Sequence, residues 1–438
     1  MQKAIEEEVN CFFEKTKNKP IKVISHFDTD GITSAAIISK ALKREEKNFS
    51  VKILKSLDKS QLEQIKEKIK NEVLVFLDLG SSLLNEISSF NNDIFIIDHH
   101  ELPETVPSNI RIINPHLLDE ENVSSSGLTY LFCKTLNPNN KDLANLAVIG
   151  MVGDMLDRNL SKLNNHIVED SDILVKKGPM LYPATRPIHK ALEFSSSIYI
   201  PGVTGNPKAV IEMLKDIGIE RENGEYKSLV EMNDDEISKL VTSILLKTGK
   251  SGEDIIGNLY LLKFFNKLED ARELSAMINA CSRLGCSETA LAFCMDSKKA
   301  RKDAETIYAE YKQHLVSALN FADSNKIEGK GYVILNAKDR IKDTIIGTVA
   351  SILSMSKVYD EGTVVVAMSY DKERIKASAR IVGRQGRNVR EMLGTITQKI
   401  GGECGGHPQA AGCLISKEKE IEFLENLIKN LELEIVRI

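Results

Sequence analysis

The sequence contains no tryptophan, and aromatic residues make up only 5% of its 438 positions. Few platforms for base stacking are available, so a nucleic-acid ligand would have to be held chiefly by its backbone charge. The seven cysteines, at 11, 133, 281, 286, 294, 404 and 413, are odd in number, irregular in spacing and form no Cys-x-x-Cys pair. That argues against a disulfide framework and against a zinc ribbon. No run of about 18 apolar residues occurs, so no membrane-spanning helix is expected. The opening stretch MQKAIEEEVNCFFEK is acidic where a secretory signal needs a basic segment followed by an apolar one. An amphipathic first helix and a cytoplasmic location are the expectation. Neither sign of charge is in great excess, because 58 Lys and Arg stand against 63 Asp and Glu for a net charge of −5. A globally basic coat for nucleic acid is thereby excluded, while a local basic patch is not.

What is present is an ordinary balance for a folded chain, with 42% hydrophobic and 28% charged residues. At ~150 residues per domain the length suggests about three domains, or two with a large insert. The first third alternates in type. Apolar runs at Ile21–His26, Val51–Leu54, Val73–Leu77 and Ile94–Ile97 read as strands. Helical spacing falls at 32–42, 60–70, 83–90, 127–136 and 141–152. Strands that alternate with helices, and that are apolar on both faces, predict a parallel sheet covered on both sides. From about 160 to 325 the pattern is mostly helical and is broken early by five prolines between Pro179 and Pro207. Asp323–Gly331 is polar, carries glycine and reads as a linker. Beyond it, strand patterns at 332–335, 363–368 and 375–381 and a helix at 345–355 predict a second α/β domain. The expected division is 1–175, 176–325 and 326–438: a parallel-sheet α/β domain, a mostly helical middle and a smaller α/β domain.

Four polar clusters interrupt the first domain: His26-Phe27-Asp28-Thr29-Asp30-Gly31, Asp78 closing VLVFLD, Asp98-His99-His100 closing IFIID, and Asp154 in GMVGD. Three of them close strands, and ligands of open α/β sheets bind at the carboxyl ends of strands. A single strand-terminal Asp is usually no more than a helix cap. Four such clusters together point to a shared centre. The donors are carboxylates and imidazoles without thiolate, which suits Mn²⁺ or Mg²⁺. They are numerous enough for two ions, the device used for in-line displacement at phosphorus. Near the C-terminus, positions 372–400 carry eight Lys and Arg against Glu373 and Glu391, a local net of +6.

In their order, HFDTDG, FLDLG, IIDHH and GMVGD resemble the motifs of the DHH phosphoesterases, as do Asn114-Pro115 and Ser124–Gly127. Gly401-Gly402-Glu403-Cys404-Gly405-Gly406-His407 followed by PQAAG resembles the glycine-rich signature of the DHHA1 domain. Asn279-Ala280-Cys281-Ser282-Arg283 is similar to the NA-x-GR stretch of RecJ exonucleases, with Ser282 where RecJ usually has glycine. The proline-broken GPMLYPATRPIHKALEF is most like archaeal RecJ-type proteins.

The resemblance implies two Mn²⁺ or Mg²⁺ ions held by His26, Asp28, Asp30, Asp78, His99 and Asp154, with Asp78 bridging them. His26 occupies a position that is Asp in some members and His in others. It implies that His100 meets the substrate phosphate or the leaving group, and that Asp98 orients the loop. It further implies phosphate contacts by Asn279 and Arg283, by Lys376, Ser378 and Arg380 on a strand, and by Gly405, Gly406 and His407 in a loop. The implied activity is single-strand-specific exonucleolysis of DNA or RNA to 5′-mononucleotides, in a cleft between the two α/β domains. Other readings within the superfamily are an oligoribonuclease or a cyclic-dinucleotide phosphodiesterase. A family II pyrophosphatase would lack the GGxxGGH segment. A different class again is a RecJ-related subunit of a replication complex, with GINS or an RNA-processing factor as partner. No membrane partner is expected.

Overall fold

A computed structural model describes residues 2–117, 123–158, 160–195, 198–355, 358–383 and 385–433. The chain divides into two compact units, Met1–Tyr308 and Ala309–Ile438.

The first unit opens with α1 (Gln2–Lys15), β1 (Ile21–His26), α2 (Thr29–Arg44), β2 (Phe49–Leu54), α3 (Lys59–Lys68) and β3 (Val73–Leu77). It continues with α4 (Leu84–Ile87), β4 (Ile94–Ile97), β5 (Arg111–Ile113), α5 (Ser125–Leu136) and α6 (Ala144–Gly153). The five strands pair in parallel in the order β2-β1-β3-β4-β5. Alternate residues serve opposite faces. Val23, Val75 and Phe95 pack with α1, α2, α5 and α6, while Ile24, Phe76 and Ile96 pack with Leu62 and Ile65 of α3 and with Leu84 and Ile87 of α4. Burial on both faces explains why these strands read as unbroken apolar runs, each large side chain contributing about 1.5–3 kcal/mol. The order reverses between β1 and its neighbours, which opens a crevice beyond the carboxyl ends of β1 and β3.

The chain then runs through α7 (Lys162–Asp170), β6 (Leu174–Pro179), α8 (Ile188–Glu193), α9 (Pro207–Asp216), α10 (Asp234–Thr248) and α11 (Gly252–Ile255). β7 (Ile256–Phe264), β8 (Lys267–Asp270), α12 (Ala271–Arg283), α13 (Ser287–Cys294) and α14 (Lys298–Asn325) follow. This middle is mostly helical, as the sequence pattern suggests. It also holds an antiparallel sheet, β6-β7-β8, that the pattern did not reveal. In β7, Leu259 and Leu261 enter one core while Tyr260, Leu262 and Phe264 enter another. A strand buried on both sides gives an apolar run that periodicity cannot separate from a helix.

The second unit contains β9 (Lys326–Gly329), β10 (Tyr332–Asn336), α15 (Asp343–Met355), β11 (Val364–Asp371) and β12 (Arg374–Ile381). It ends with α16 (Val389–Ile400), β13 (Glu403–His407), β14 (Ala410–Ser416) and α17 (Glu420–Leu433). Its mixed sheet has the order β13-β14-β12-β11-β10-β9, with only β10 and β11 parallel. Two sequence expectations are corrected here. Asp323–Gly331 is not a linker: its first residues end α14, and the rest forms β9 and a tight turn into β10 at Gly331, where φ is +76°. The glycine marked a hairpin rather than a flexible joint. The GGxxGGH segment is not a loop either, because Glu403–His407 is an edge strand paired with β14. The glycine of that strand which matters for the backbone is Gly406. With φ at +120°, a Cβ there would lie 2.5 Å from the Ala410 carbonyl oxygen. Glycine is what lets the two strands approach so closely.

Candidate metal centre

The turn from β1 into α2 supplies the first donors. Asp28 caps α2, its Oδ1 accepting from the Gly31 amide at 3.0 Å, while its Oδ2 lies 3.1 Å from His26 Nδ1. One oxygen therefore shapes the helix start and the other remains for the centre. Gly31 is required by space, since a Cβ there would run into the His26 carbonyl. Asp30 is fully buried, and its two oxygens accept from the Ser125 and Ser126 amides at 2.7 and 2.9 Å. Those amides open α5, so the carboxylate sits at a helix N-terminus, where negative charge is favoured. Three segments meet here at close range. A Cβ at Gly150 of α6 would collide with Ser126, Thr33 and Asp30.

Asp78 follows β3 with φ at +56°, a conformation that non-glycine residues seldom adopt and that recurs at functional sites. Its Oδ1 accepts from Ser125 Oγ at 3.0 Å and lies 3.5 Å from His99 Nε2, and its Oδ2 lies 3.2 Å from His26 Nδ1. His99 Nε2 is also 3.3 Å from Asp154 Oδ2. After β4, buried Asp98 accepts from the amides of Ser81, His99 and His100 at 3.0, 2.9 and 3.3 Å and pairs with His100 Nδ1 at 2.7 Å. Asn114 completes this loop by donating to the His100 carbonyl at 2.9 Å.

Three sets of donor atoms, each within 4.8 Å of one another, arise from this packing: His26 with Asp28 and Asp78, Asp30 with His99 and Asp154, and Asp78 with His99 and His100. The electrostatics call for a cation. Burial and the neighbouring Asp28 push the Asp78 carboxyl well above its usual range, and burial with Asp30, Asp28 and Asp78 does the same to Asp154. Burial also raises Asp30. Burial disfavours a charged His26, but Asp28 and Asp78 outweigh it and hold the imidazole protonated well above its normal range. Burial opposes ionisation of Asp98 too, yet hydrogen bonds from His100 and Ser81 bring it down to about 2, and Asp98 lifts His100 to about 9. Carboxylates and imidazoles converging with surplus negative charge fit a hard divalent ion.

The remaining residues singled out in the sequence fall in two places. Asn279 lies on α12 in the first unit and accepts from the Thr29 amide at 3.1 Å, between Asp28 and Asp30. Arg283 is one turn further along that helix. Lys376, Ser378 and Arg380 share one face of β12 in the second unit. Arg380 bonds to Ser351 Oγ of α15 at 3.0 Å and to the Ala379 carbonyl at 2.8 Å. Gly405, Gly406 and His407 are exposed on β13, beside a groove of about 460 Å³ lined by Asn388, Arg390, Gln398 and Cys404. Of the basic patch, Arg384 lies outside the described residues. Sequence reasoning gave no role to Ser125, Ser126, Thr29 or Asn114. The available signs were the DHH-like matches at Asn114-Pro115 and Ser124–Gly127, the latter also a helix-start signature.

Family models for the DHH family N-terminal domain, the DHH-CID domain and the DHHA1 domain match residues 20–151, 181–255 and 329–433. The chain thus carries a DHH-family N-terminal domain, a DHH-CID domain and a DHHA1 domain. Among solved structures its fold is shared with RecJ exonucleases. An uncharacterized protein of Methanocaldococcus jannaschii is 29% identical over 443 residues, covering 97% of this chain and 96% of the other. RecJ from Thermus thermophilus, in complex with Mn²⁺, matches with a TM-score of 0.62 at 18% identity over 97% of this chain. The present chain covers 54% of that RecJ, about half its length. CDC45 from Entamoeba histolytica matches with a TM-score of 0.68 at 14% identity over 98% of each chain. At such identities the solved structures establish a common fold. Among the described residues no helix is long and apolar enough to cross a membrane.

Proposed function

We propose that the protein is a metal-dependent phosphodiesterase that removes nucleotides from the ends of single-stranded DNA or RNA and releases 5′-mononucleotides. The observation that carries this reading is Asp78, whose two oxygens face different donor sets. A carboxylate so placed suits two neighbouring Mn²⁺ or Mg²⁺ ions. His26, Asp28 and Asp78 would hold one ion, and Asp30, His99, Asp154 and Asp78 the other. Bound ions would supply the Lewis acidity and charge neutralisation that attack at phosphorus needs. The chain contributes the geometry. Ser125 and Ser126 fix Asp78 and Asp30, and Asp98 holds the DHH loop. His100 keeps its proton at neutral pH through Asp98 and is half-exposed, so its Nε2–H is available to a phosphate or leaving-group oxygen.

In the second unit, Lys376, Ser378, Arg380, Gly405, Gly406 and His407 would grip the strand by its phosphates. Arg283 would read a terminal phosphate, for which its planar fork is suited. A place in a replication complex, with a partner such as GINS, is a second reading that draws on the fold shared with CDC45 over nearly the whole chain. The intact donor set favours an active enzyme within any such complex. The test is digestion of end-labelled linear and circular single strands and of blunt duplexes with Mn²⁺ or Mg²⁺. Linear strands should be degraded and the others spared. Efficient cutting of a circular strand would overturn the exonuclease reading.

A further inference from the structure

Thr29, between the donors Asp28 and Asp30, is where three distant parts of the first unit meet. Its amide, the first of α2, donates to Asn279 Oδ1 at 3.1 Å. Its hydroxyl donates to the Ser275 carbonyl at 3.0 Å, and Ser275 Oγ lies 3.2 Å from it. On the other side Gly153, which precedes Asp154, presses against it, and a Cβ there would lie 2.8 Å from Thr29 Cβ. Thr29 is 1% exposed.

The helix that supplies Ser275 and Asn279 is anchored in turn. Asp270, wholly buried at the start of α12, accepts from the Arg272 and Ala184 amides, both at 2.8 Å. Arg272 pairs with buried Asp157, three residues beyond Asp154, and its guanidinium lies 4.5 Å from the Tyr182 ring centroid. One helix thus grips the Asp28–Asp30 turn through one end and the segment after Asp154 through the other. In the first turn of α2, Asp28 satisfies the Gly31 amide and Asn279 the Thr29 amide. Losing either acceptor leaves a helix-terminal donor unpaired and frees the turn to shift.

We infer that Asn279 is a positioning residue of the metal centre: its amide oxygen, by holding the Thr29 amide, sets the directions in which Asp28 and Asp30 present their carboxylates. This rests on the metal reading above and differs from the phosphate contact that the RecJ resemblance implies for Asn279. The two roles use opposite ends of the same amide. Positioning needs the oxygen as an acceptor, whereas phosphate binding needs the NH₂ as a donor.

The experiment is calorimetric titration of the full chain with Mn²⁺ in the absence of nucleic acid, for the wild type, Asn279→Ala and Asn279→Asp. Loss of a group that orients a ligand typically weakens metal affinity about 10–100-fold, and that is the loss expected for Asn279→Ala. Asn279→Asp keeps the acceptor and loses the donors, so its Mn²⁺ affinity should return to at least the wild-type level. If the Ala variant does not fold, Asn279→Ser, whose hydroxyl is too short to reach Thr29, should show the same loss. Wild-type Mn²⁺ affinity in Asn279→Ala, or no recovery in Asn279→Asp, would overturn the inference and leave the metal centre standing. A wild type that binds no Mn²⁺ would remove the metal reading and the inference together.

Discussion

In the first unit Asp30 is wholly buried and both its oxygens accept backbone amides, while in the second unit Gly405, Gly406 and His407 lie exposed on a sheet edge. The first arrangement holds its polar groups in fixed directions through contacts between segments about 50 to 250 residues apart in sequence. The second leaves backbone and side chain open. A centre that must meet an ion with defined geometry needs the former, since misdirected donors cost affinity. A surface proposed to let a chain of phosphates pass needs the latter. Lesions in the two places should therefore differ in kind.

The largest effect is expected at Asp78. Asp78→Ala should lower cleavage roughly 10³-fold or more, about 4 kcal/mol of transition-state stabilisation, with the fold retained by circular dichroism. Full activity in this variant would break the comparison at its stronger side.

Next come the paired glycines of β13. Gly406→Ala forces a side chain into φ +120° against Ala410 and Ala411 and should destabilise the second unit by about 1–3 kcal/mol. Gly405→Ala points into open space and should be nearly neutral. Urea midpoints distinguish the two, and equal midpoints would contradict the edge-strand assignment. Neither change should alter Mn²⁺ affinity.

A pH effect of similar or smaller size is expected from Asp270, whose carboxyl is raised by burial to about 6. Its folded form holds a proton more tightly than the unfolded form does. Its contribution to stability is therefore greatest below about pH 4 and declines as pH rises toward 6 and above. Asp270→Asn cannot ionise, so its stability relative to wild type should improve by about 1–3 kcal/mol between pH 4 and pH 7. A pH-independent difference between the two proteins would rule out the raised value.

The smallest effect belongs to Arg380, whose guanidinium is already bonded to Ser351 and Ala379. Arg380→Ala should weaken single-strand binding modestly and lower the slope of log affinity against log salt by ~0.7, the value for one lost phosphate contact. An unchanged slope would take Arg380 out of the interface.

The contrast also explains what could be read from the sequence. The bounds of β1, β3 and β4 were legible because buried parallel strands leave unbroken apolar runs, and the donor clusters were legible because they close those runs. The supports of the donors were not. The run Ser124–Gly127 stood out as DHH-like, but Ser125 lies 47 positions from Asp78 and 95 from Asp30, and no local pattern says which carboxylates it meets. β7 was missed because it is buried on both faces, and β13 because a glycine-rich strand has turn composition. Local pattern carried what backbone periodicity dictates, and tertiary packing carried the rest.

The central claim is that Asp78 joins two donor sets into one two-ion centre. Mn²⁺ stoichiometry, measured by equilibrium dialysis on the wild type and Asp78→Ala, tests it most directly. Two ions per chain are expected in the wild type, with both lost at the same free Mn²⁺ in the variant. Two ions retained by Asp78→Ala, or none bound by the wild type, would contradict it.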